Sequence, residues 1–450
     1  MTKDLTQGST GKILLSFSAP MFVSAIFQQL YSMADSIIAG RFAGKNALAA
    51  VGASYPVTMI FIAVALGSSV GVSVVISQLF GKGDYRSMKT AISTSLISIS
   101  VLSVLLTVLG SLFSSDIISA LHVKEDIFAD SDLYLKIYIW GLFFLFLYNA
   151  CTGILNAMGD SKTPLILLIC SSVGNILLDM FFVIALHMGV SGVAWATFIA
   201  QGISGIAAFV IVLRRFFSFK VQGSGLFSFK MLGKISYLAI PSILQQSFVS
   251  IGNLLIQSLV NGYSTDVIAG YSAAVKLNTF TITAINTLGT ALSNFTAQNY
   301  GASKFDRIRS SLKISYKMTA AFALPFTFIY FVFAKQCIGL FLDPAETEAI
   351  NIGVSYMKIV SPFYIFISLK IMCDGILRGM SKVFFFMITT FSDLLLRVGL
   401  SFVLSIPFGY TGIWLSWPIG WVTSMIIAVV LYARVAKTDL SSPPPVQKSA

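Results

Sequence analysis

Long apolar runs alternate with short polar connections along the whole chain. A helix needs roughly 20 apolar residues to span a bilayer. Twelve runs of that order follow one another, near 13–39, 52–77, 88–113, 131–157, 163–186, 190–213, 234–260, 267–297, 312–334, 352–378, 384–406 and 411–435. These spans, numbered 1 to 12 in chain order, predict an all-α integral membrane protein with twelve transmembrane helices and no soluble domain.

The second half of the pattern repeats the first. "YLKI" at Tyr134 recurs as "YMKI" at Tyr356, and "CTGILNAMG" at Cys151 as "CDGILRGMS" at Cys373, both with a shift of 222 in numbering. "QLFGKGDYR" at Gln78 answers "QNYGASKFD" at Gln298 with a shift of 220, and Pro20 answers Pro241 with a shift of 221. Six spans per half, each half starting and ending on the same side, make a parallel repeat about an axis along the membrane normal, as in secondary transporters. The expectation is two pseudo-symmetric six-helix lobes, 1–213 and 234–437, with a basic linker at 214–233. The polar, proline-rich tail 438–450 is expected to be disordered.

Composition agrees with the pattern: 56% of residues are hydrophobic and 11% charged, with a mean hydropathy of +0.85, against about 25% charged in soluble proteins. The net charge of +12 has a topological meaning rather than a nucleic-acid one. Lys82, Arg86 and Lys89, then Arg214, Arg215, Lys220, Lys230 and Lys234, then Lys304, Arg307 and Arg309 all fall on one side of the membrane. Asp116, Glu125, Asp126, Asp130 and Asp132, and later Asp343, Glu346 and Glu348, fall on the other. The positive-inside rule then places both termini in the cytoplasm, in a multi-pass protein of the plasma (inner) membrane. Span 1 is longer than a secretory signal and is read as a retained helix. Cys151, Cys170, Cys337 and Cys373 are too scattered for a disulfide framework or a metal site.

Enzyme signatures fail on context. "GKGD" at Gly81 has the form of an intramembrane aspartyl protease motif but lies in a basic connection without a partner aspartate. "GRFAGKN" at Gly40 is one residue short of the Walker A spacing and lacks its Ser or Thr. There is no HExxH, GxSxG or Cys/His cluster, and His122 and His187 fall at the outer ends of spans. The chain is read as no enzyme, without a cofactor.

Ionisable residues inside spans cost about 2.5 to 3.5 kcal/mol each at a helix centre, so they point to function. Asp35, Asp179, Lys276, Lys358, Lys370, Asp374, Asp393 and Arg397 are the candidates. Lys358 and its repeat mate Lys136 lie near the outer boundary and can snorkel. Asp374 and Arg378 end span 10, where a capping or loop role is expected. Asp393 and Arg397, spaced i, i+4, are expected to neutralise each other. Asp35 and Asp179 have no basic residue within one or two turns on their own spans. Both lie roughly 8 to 12 Å from the outer ends of spans 1 and 5, and Thr197 on span 6 reaches the same level. Gln28, Tyr31 and Asp35 share one helix face, and Asn175 and Asp179 another. Such a cluster offers oxygen ligands to a small hard cation, or carboxylates to a proton.

Over essentially its full length the chain resembles the MATE family, the multidrug and toxic compound extrusion transporters. The resemblance rests on the two six-span lobes, "ADSIIAG" closing span 1, "GILNAMGD" and "GILRGMSK" ending spans 4 and 10, and "GNILLD" followed by "GVSGVAWAT". In members with an N-lobe cation site, a Tyr-x3-Asp, an Asn-x3-Asp and a Thr eighteen positions later build it; here these are Tyr31 and Asp35, Asn175 and Asp179, and Thr197. The resemblance implies a site for H+ or Na+, the latter held by Asp35, Asn175, Asp179 and Thr197. No second cation site is expected, because span 7 carries Gln245, Gln246, Asn253 and Gln257 but no acid. The implied function is efflux of lipophilic, often cationic compounds in exchange for H+ or Na+ by alternating access, in a chain acting as a monomer. Gln28, Asn149, Gln245, Gln246, Asn253, Lys276 and Arg397 are the polar candidates for the substrate cavity. The alternative is a flippase for a lipid-linked oligosaccharide or another lipid. Against it, Lys276, Lys358, Lys370 and Arg397 all fall in the second lobe, whereas a pyrophosphate head calls for cations from both.

Overall fold

A computed structural model describes residues 3–38, 42 and 45–440, apart from the side chains of 33–37, 45, 46 and 48. Among these residues the regular structure is all helical. The α-helices are α1 (Thr10–Ile38), α2 (Lys45–Lys82), α3 (Tyr85–Ala120), α4 (Glu125–Trp140), α5 (Leu142–Ala157), α6 (Lys162–Asp179), α7 (Gly189–Ser218) and α8 (Phe229–Val260). They continue as α9 (Thr265–Gly301), α10 (Phe305–Val332), α11 (Ala334–Ile338), α12 (Thr347–Val360), α13 (Tyr364–Gly379), α14 (Val383–Phe408) and α15 (Tyr410–Asp439). Three of the predicted spans are composite. Span 4 is α4 and α5, bent by 45° at Gly141. Span 5 is α6 continued by a π-helical turn, Met180–Ala185. Span 10 is α12 and α13 joined by a 3-10 turn, Ser361–Phe363, that contains Pro362.

Each of the twelve spans is thus helical, and many run past the limits that hydropathy suggests. The 38 residues of α2 extend roughly 57 Å, nearly twice a hydrocarbon core of about 30 Å. Nine helices among the described residues are long and apolar enough to cross a membrane, or ten with the bent pair α4 and α5 taken as one. The long helices α9 and α10 are more polar for a physical reason. The last third of α9 is surrounded by protein, with Ser293, Asn294, Thr296, Gln298 and Asn299 all buried. The first turns of α10 carry Arg307, Arg309, Lys313 and Lys317 beside the membrane surface. Lipid instead faces helices such as α3, where Val101, Leu105, Leu109, Leu112 and Phe113 are more than half exposed.

Contacts divide the chain into two compact units: Met1–Asp4 with Ala19–Ser247, and Leu5–Ser18 with Phe248–Ala450. The first third of α1 therefore packs in the second unit, and the first half of α8 in the first. In the second unit, Leu5 donates its N–H to Gln298 Oε1 at 2.9 Å, and Lys304 donates to the Thr6 carbonyl at 2.8 Å. Arg307 donates to the carbonyls of Gly8 at 2.5 Å and Leu5 at 3.1 Å. In the first unit the segment before α8 is fastened to α3 in the same manner, by Arg86 Nε on the Gly223 carbonyl at 2.7 Å and Lys89 Nζ on the Phe219 carbonyl at 3.3 Å.

Small residues let the helices meet at the backbone, the usual basis of packing in lipid. In the first unit a Cβ on Gly153 of α5 would lie 2.5 Å from Ser69 Oγ of α2; in the second, a Cβ on Gly375 of α13 would lie 2.6 Å from the Gly289 carbonyl of α9. The same crossing is built twice, at a shift of 222 along one helix and 220 along the other.

Candidate functional site

The buried side of α6 is a polar stripe in an apolar helix: Ser172, Asn175 and Asp179 are buried while Ile166, Val173 and Leu177 are exposed. Residues three and four apart share a face, so the stripe points one way along two turns. α7 runs back against it. Ser171 Oγ donates to the Ala200 carbonyl at 3.3 Å, and from that anchor one turn along α6 reaches Asn175 while nearly one turn back along α7 reaches Thr197. The antiparallel register therefore sets these two residues at one level, with Thr197 half-buried.

Asn175 is 2% exposed, and among the described residues neither its amide nitrogen nor its amide oxygen has a hydrogen-bond partner. A buried amide without partners costs about 1 to 3 kcal/mol, which makes it a ready ligand. Asp179, one turn on, is fully buried. The π-helical turn begins at the next residue, a local widening often found at functional positions. It carries Val183 into an apolar cluster with Ala47, Ala50, Tyr134, Ile137, Val190, Val193 and Ala194. That cluster lies within about a turn of the carboxylate, and a carboxylate in such surroundings needs a compensating charge or hydrogen bonds. Tyr31 lies half-buried on α1. Asp35 stands one turn further along the same helix, and its side chain lies outside the described residues. The structure thus brings Asn175, Asp179 and Thr197 together on two facing helices, in a setting of amide, carboxylate and hydroxyl oxygens that suits a small hard cation or a proton. Among the described residues no three His, Cys, Asp or Glu side chains form a metal-binding group.

The sequence model of the MatE family matches residues 20–181 and again 241–411, once in each half. The chain belongs to the MatE family. It is 28% identical over 377 residues, 84% of either chain, to the probable multidrug resistance protein YpnP of Bacillus subtilis (strain 168). It is 26% identical over 451 residues, 97% of this chain and 96% of the other, to the probable multidrug resistance protein YoeA of the same organism. A crystal structure of MATE in complex with MaL6 has the same fold, with a TM-score of 0.89 at 23% identity, covering 97% of this chain and 100% of that one. As a MatE protein the chain is a multi-pass membrane transporter with twelve helices in two lobes.

The remaining candidates of this MatE chain fall in both units. In the first unit, Gln28 of α1 is exposed, and Gln245 and Gln246 of α8 are half-buried. Asn149 of α5 donates to the Leu145 carbonyl of its own helix at 2.8 Å. In the second unit, Lys276 is exposed, with its ammonium 5.5 Å from the Phe341 ring. Arg397 is 5% exposed and donates from Nη1 to Asn253 Oδ1 at 3.0 Å.

Two expectations need correction. Asp393 and Arg397 form no ion pair among the described residues: Arg397 turns to Asn253 and lies over the Trp417 ring, its guanidinium carbon 4.4 Å from the centroid, while Asp393 Oδ1 is buried without a hydrogen-bond partner among those residues. Asp374 does not cap the end of its helix. It is buried, accepts from Thr389 Oγ1 at 2.6 Å and pairs with Lys370 Nζ at 2.8 Å, both side chains 7% exposed. The i, i+4 spacing of Lys370 and Asp374 is the signal that would have found this pair. Lys136, expected to snorkel, bridges Asp132 at 2.6 Å.

Proposed function

We propose that this MatE protein is an efflux antiporter that exports lipophilic, often cationic compounds from the cytoplasm in exchange for H+ or Na+ by alternating access. It works as a monomer in the plasma (inner) membrane with both termini cytoplasmic. The coupling ion is held by Asp35, Asn175, Asp179 and Thr197, with Tyr31 beside them. The observation that carries the reading is the buried Asn175 amide, without a hydrogen-bond partner among the described residues, one turn from the buried Asp179 and level with Thr197. The family match and the relatives named for multidrug resistance support the substrate class.

In this cycle the incoming proton or sodium ion adds its positive charge to the carboxylates of the site. Loading changes the local charge by one unit, and the helices that share the site, α1, α6 and α7, respond by shifting against one another. The shift weakens the hold on a cationic compound and favours its release outside. Asp35→Asn and Asp179→Asn should each abolish gradient-driven ethidium efflux from proteoliposomes while inserting normally; normal pumping by both would remove the assignment.

A further inference from the structure

The internal repeat extends to the ion site, and the second unit has filled its copy. The turn before α6 and the turn before α14 are built alike, Gly159 N–H to the Asn156 carbonyl at 3.0 Å and Ser381 N–H to the Arg378 carbonyl at 2.9 Å, again related by the shift of 222. From there every buried residue of α6 has a buried counterpart on α14 at the same offset: Pro164 and Phe386, Ser172 and Leu394, Asn175 and Arg397, Asp179 and Ser401. After the π-helical turn the offset becomes 220. Gly189 and Gly409 open α7 and α15 with φ of 59° and 58°, and buried Gly192, Ala196, Ala200 and Ser204 match buried Gly412, Ser416, Gly420 and Ser424. Thr197 then corresponds to Trp417. Along α1 and α8 the offset passes from 221 at Pro20 and Pro241 to 222 at the buried Ile38 and Val260; in the register of the helix ends Asp35 corresponds to Gln257 and Tyr31 to Asn253.

Of Arg397, Asn253 and Trp417, which replace Asn175, Tyr31 and Thr197, Arg397 touches both of the others. Arg397 Nη1 bonds Asn253 Oδ1 at 3.0 Å, and the guanidinium lies 4.4 Å from the Trp417 centroid, within cation–π range. Ser401, in the place of Asp179, hydrogen-bonds Ser416 at 2.7 Å. Asp393, one turn before Arg397, along with Tyr271 of α9 and Tyr356 of α12, completes the charged and titratable surroundings.

We propose that the guanidinium of Arg397 is a built-in cation, seated in the second unit at the position equivalent to the exchangeable cation of the first. This rests on the reading of Asn175, Asp179 and Thr197 given above. A tethered guanidinium does not leave, so this position of the second unit holds a cation whatever the sodium concentration. Coupling runs through the first unit alone.

The test is chemical replacement of the tethered cation, read by thermal unfolding in nanodiscs and by ethidium efflux. Arg397→Ala should unfold at lower temperature and pump about ten-fold more slowly or worse, since it loses a charge-assisted hydrogen bond and a buried cation. Free guanidinium or methylguanidinium at low millimolar concentration should restore both, saturably, with no effect on the wild type. Arg397→Lys should retain most of the unfolding temperature and Arg397→Met should not; these two carry the test if the alanine variant does not fold. The restoration should persist in Arg397→Ala/Asp179→Asn, where the unfolding temperature reads the second unit even if Asp179 proves not to couple. Wild-type stability and efflux in Arg397→Met, or an Arg397→Ala protein that no small cation stabilises, would overturn the proposal.

Discussion

Asp374 shows how much of a buried residue's role depends on its neighbours rather than on its place in the chain. Hydropathy places it one turn before the end of a span, where a carboxylate normally meets water, yet the side chain is enclosed with Lys370 and Thr389. Removing one member of a buried pair strands the other and costs about 3 to 5 kcal/mol. Asp374→Leu strands Lys370 and also deprives the buried Arg378 of its neighbouring negative charge, whereas Lys370→Met leaves the carboxylate with Thr389 and Arg378. The unfolding temperature in detergent should therefore fall much further for Asp374→Leu than for Lys370→Met; equal effects would refute this ranking. Asp84, outside the membrane, acts differently. It caps α3 by accepting from the Ser87 N–H at 3.0 Å. Partial burial works to raise its carboxyl, but the Ser87 hydrogen bonds and the nearby Lys82 and Arg86 outweigh that and hold it below the usual range. A lowered folded-state value stabilises above the unfolded carboxyl's pKa, about 3.9, and that stabilisation is lost as pH falls through the folded value. Asp84→Ala should thus cost about 1 kcal/mol at neutral pH, and the gap to wild type should close below about pH 4.

At the level of elements, the chain repeats its irregularities as faithfully as its helices. Gly141 and the turn Ser361–Phe363 interrupt spans 4 and 10 at matching positions, just after the repeated "YLKI" and "YMKI". Pro362 announces the second break, because proline removes a donor and favours a helix start. The first is hidden, since a single glycine between Trp140 and Leu142 leaves the apolar run intact. The π-helical turn after Asp179 is likewise silent in the sequence, yet it lies where the offset between the halves changes from 222 to 220. Turns recur too: Gly83 and Ser303, related by the shift of 220, both have positive φ, 75° and 56°. The left-handed backbone costs a non-glycine residue roughly 1 to 2 kcal/mol, partly offset by the greater unfolded-chain freedom of glycine. Ser303→Gly should therefore be neutral or stabilise by up to about 1 kcal/mol, and Gly83→Ala, whose Cβ would meet nothing, should cost about that much. Gly159→Ala should be the most damaging, because its Cβ would fall 2.0 Å from the Lys3 carbonyl oxygen. Thermal unfolding of the three variants checks the order.

For the whole molecule, the spans, their number and the two-fold repeat were legible because lipid imposes one long apolar helix per crossing. The polarity of α9 was legible as well, but its cause, enclosure by protein, was not. Nor was the contrast between Asn175 and Arg397, since only matching buried stripes reveal that they hold one position. The proposed division, two acids in the first unit against a fixed cation in the second, has an electrical consequence. If Asp35 and Asp179 each deliver one cation inward per cycle while one monovalent compound leaves, one net charge crosses inward. A membrane potential then drives transport by itself, with about 2.3 kcal/mol per 100 mV for each charge, enough for a substrate gradient of about fifty-fold. Proteoliposomes given a potassium diffusion potential, positive on the side towards which ethidium is pumped, should build such a gradient without any pH or sodium gradient. Repeating this at fixed pH with and without sodium identifies the ion that carries the charge. An ethidium gradient indifferent to the potential would mean that a single cation is exchanged for each compound, and that one of the two aspartates keeps its charge state through the cycle.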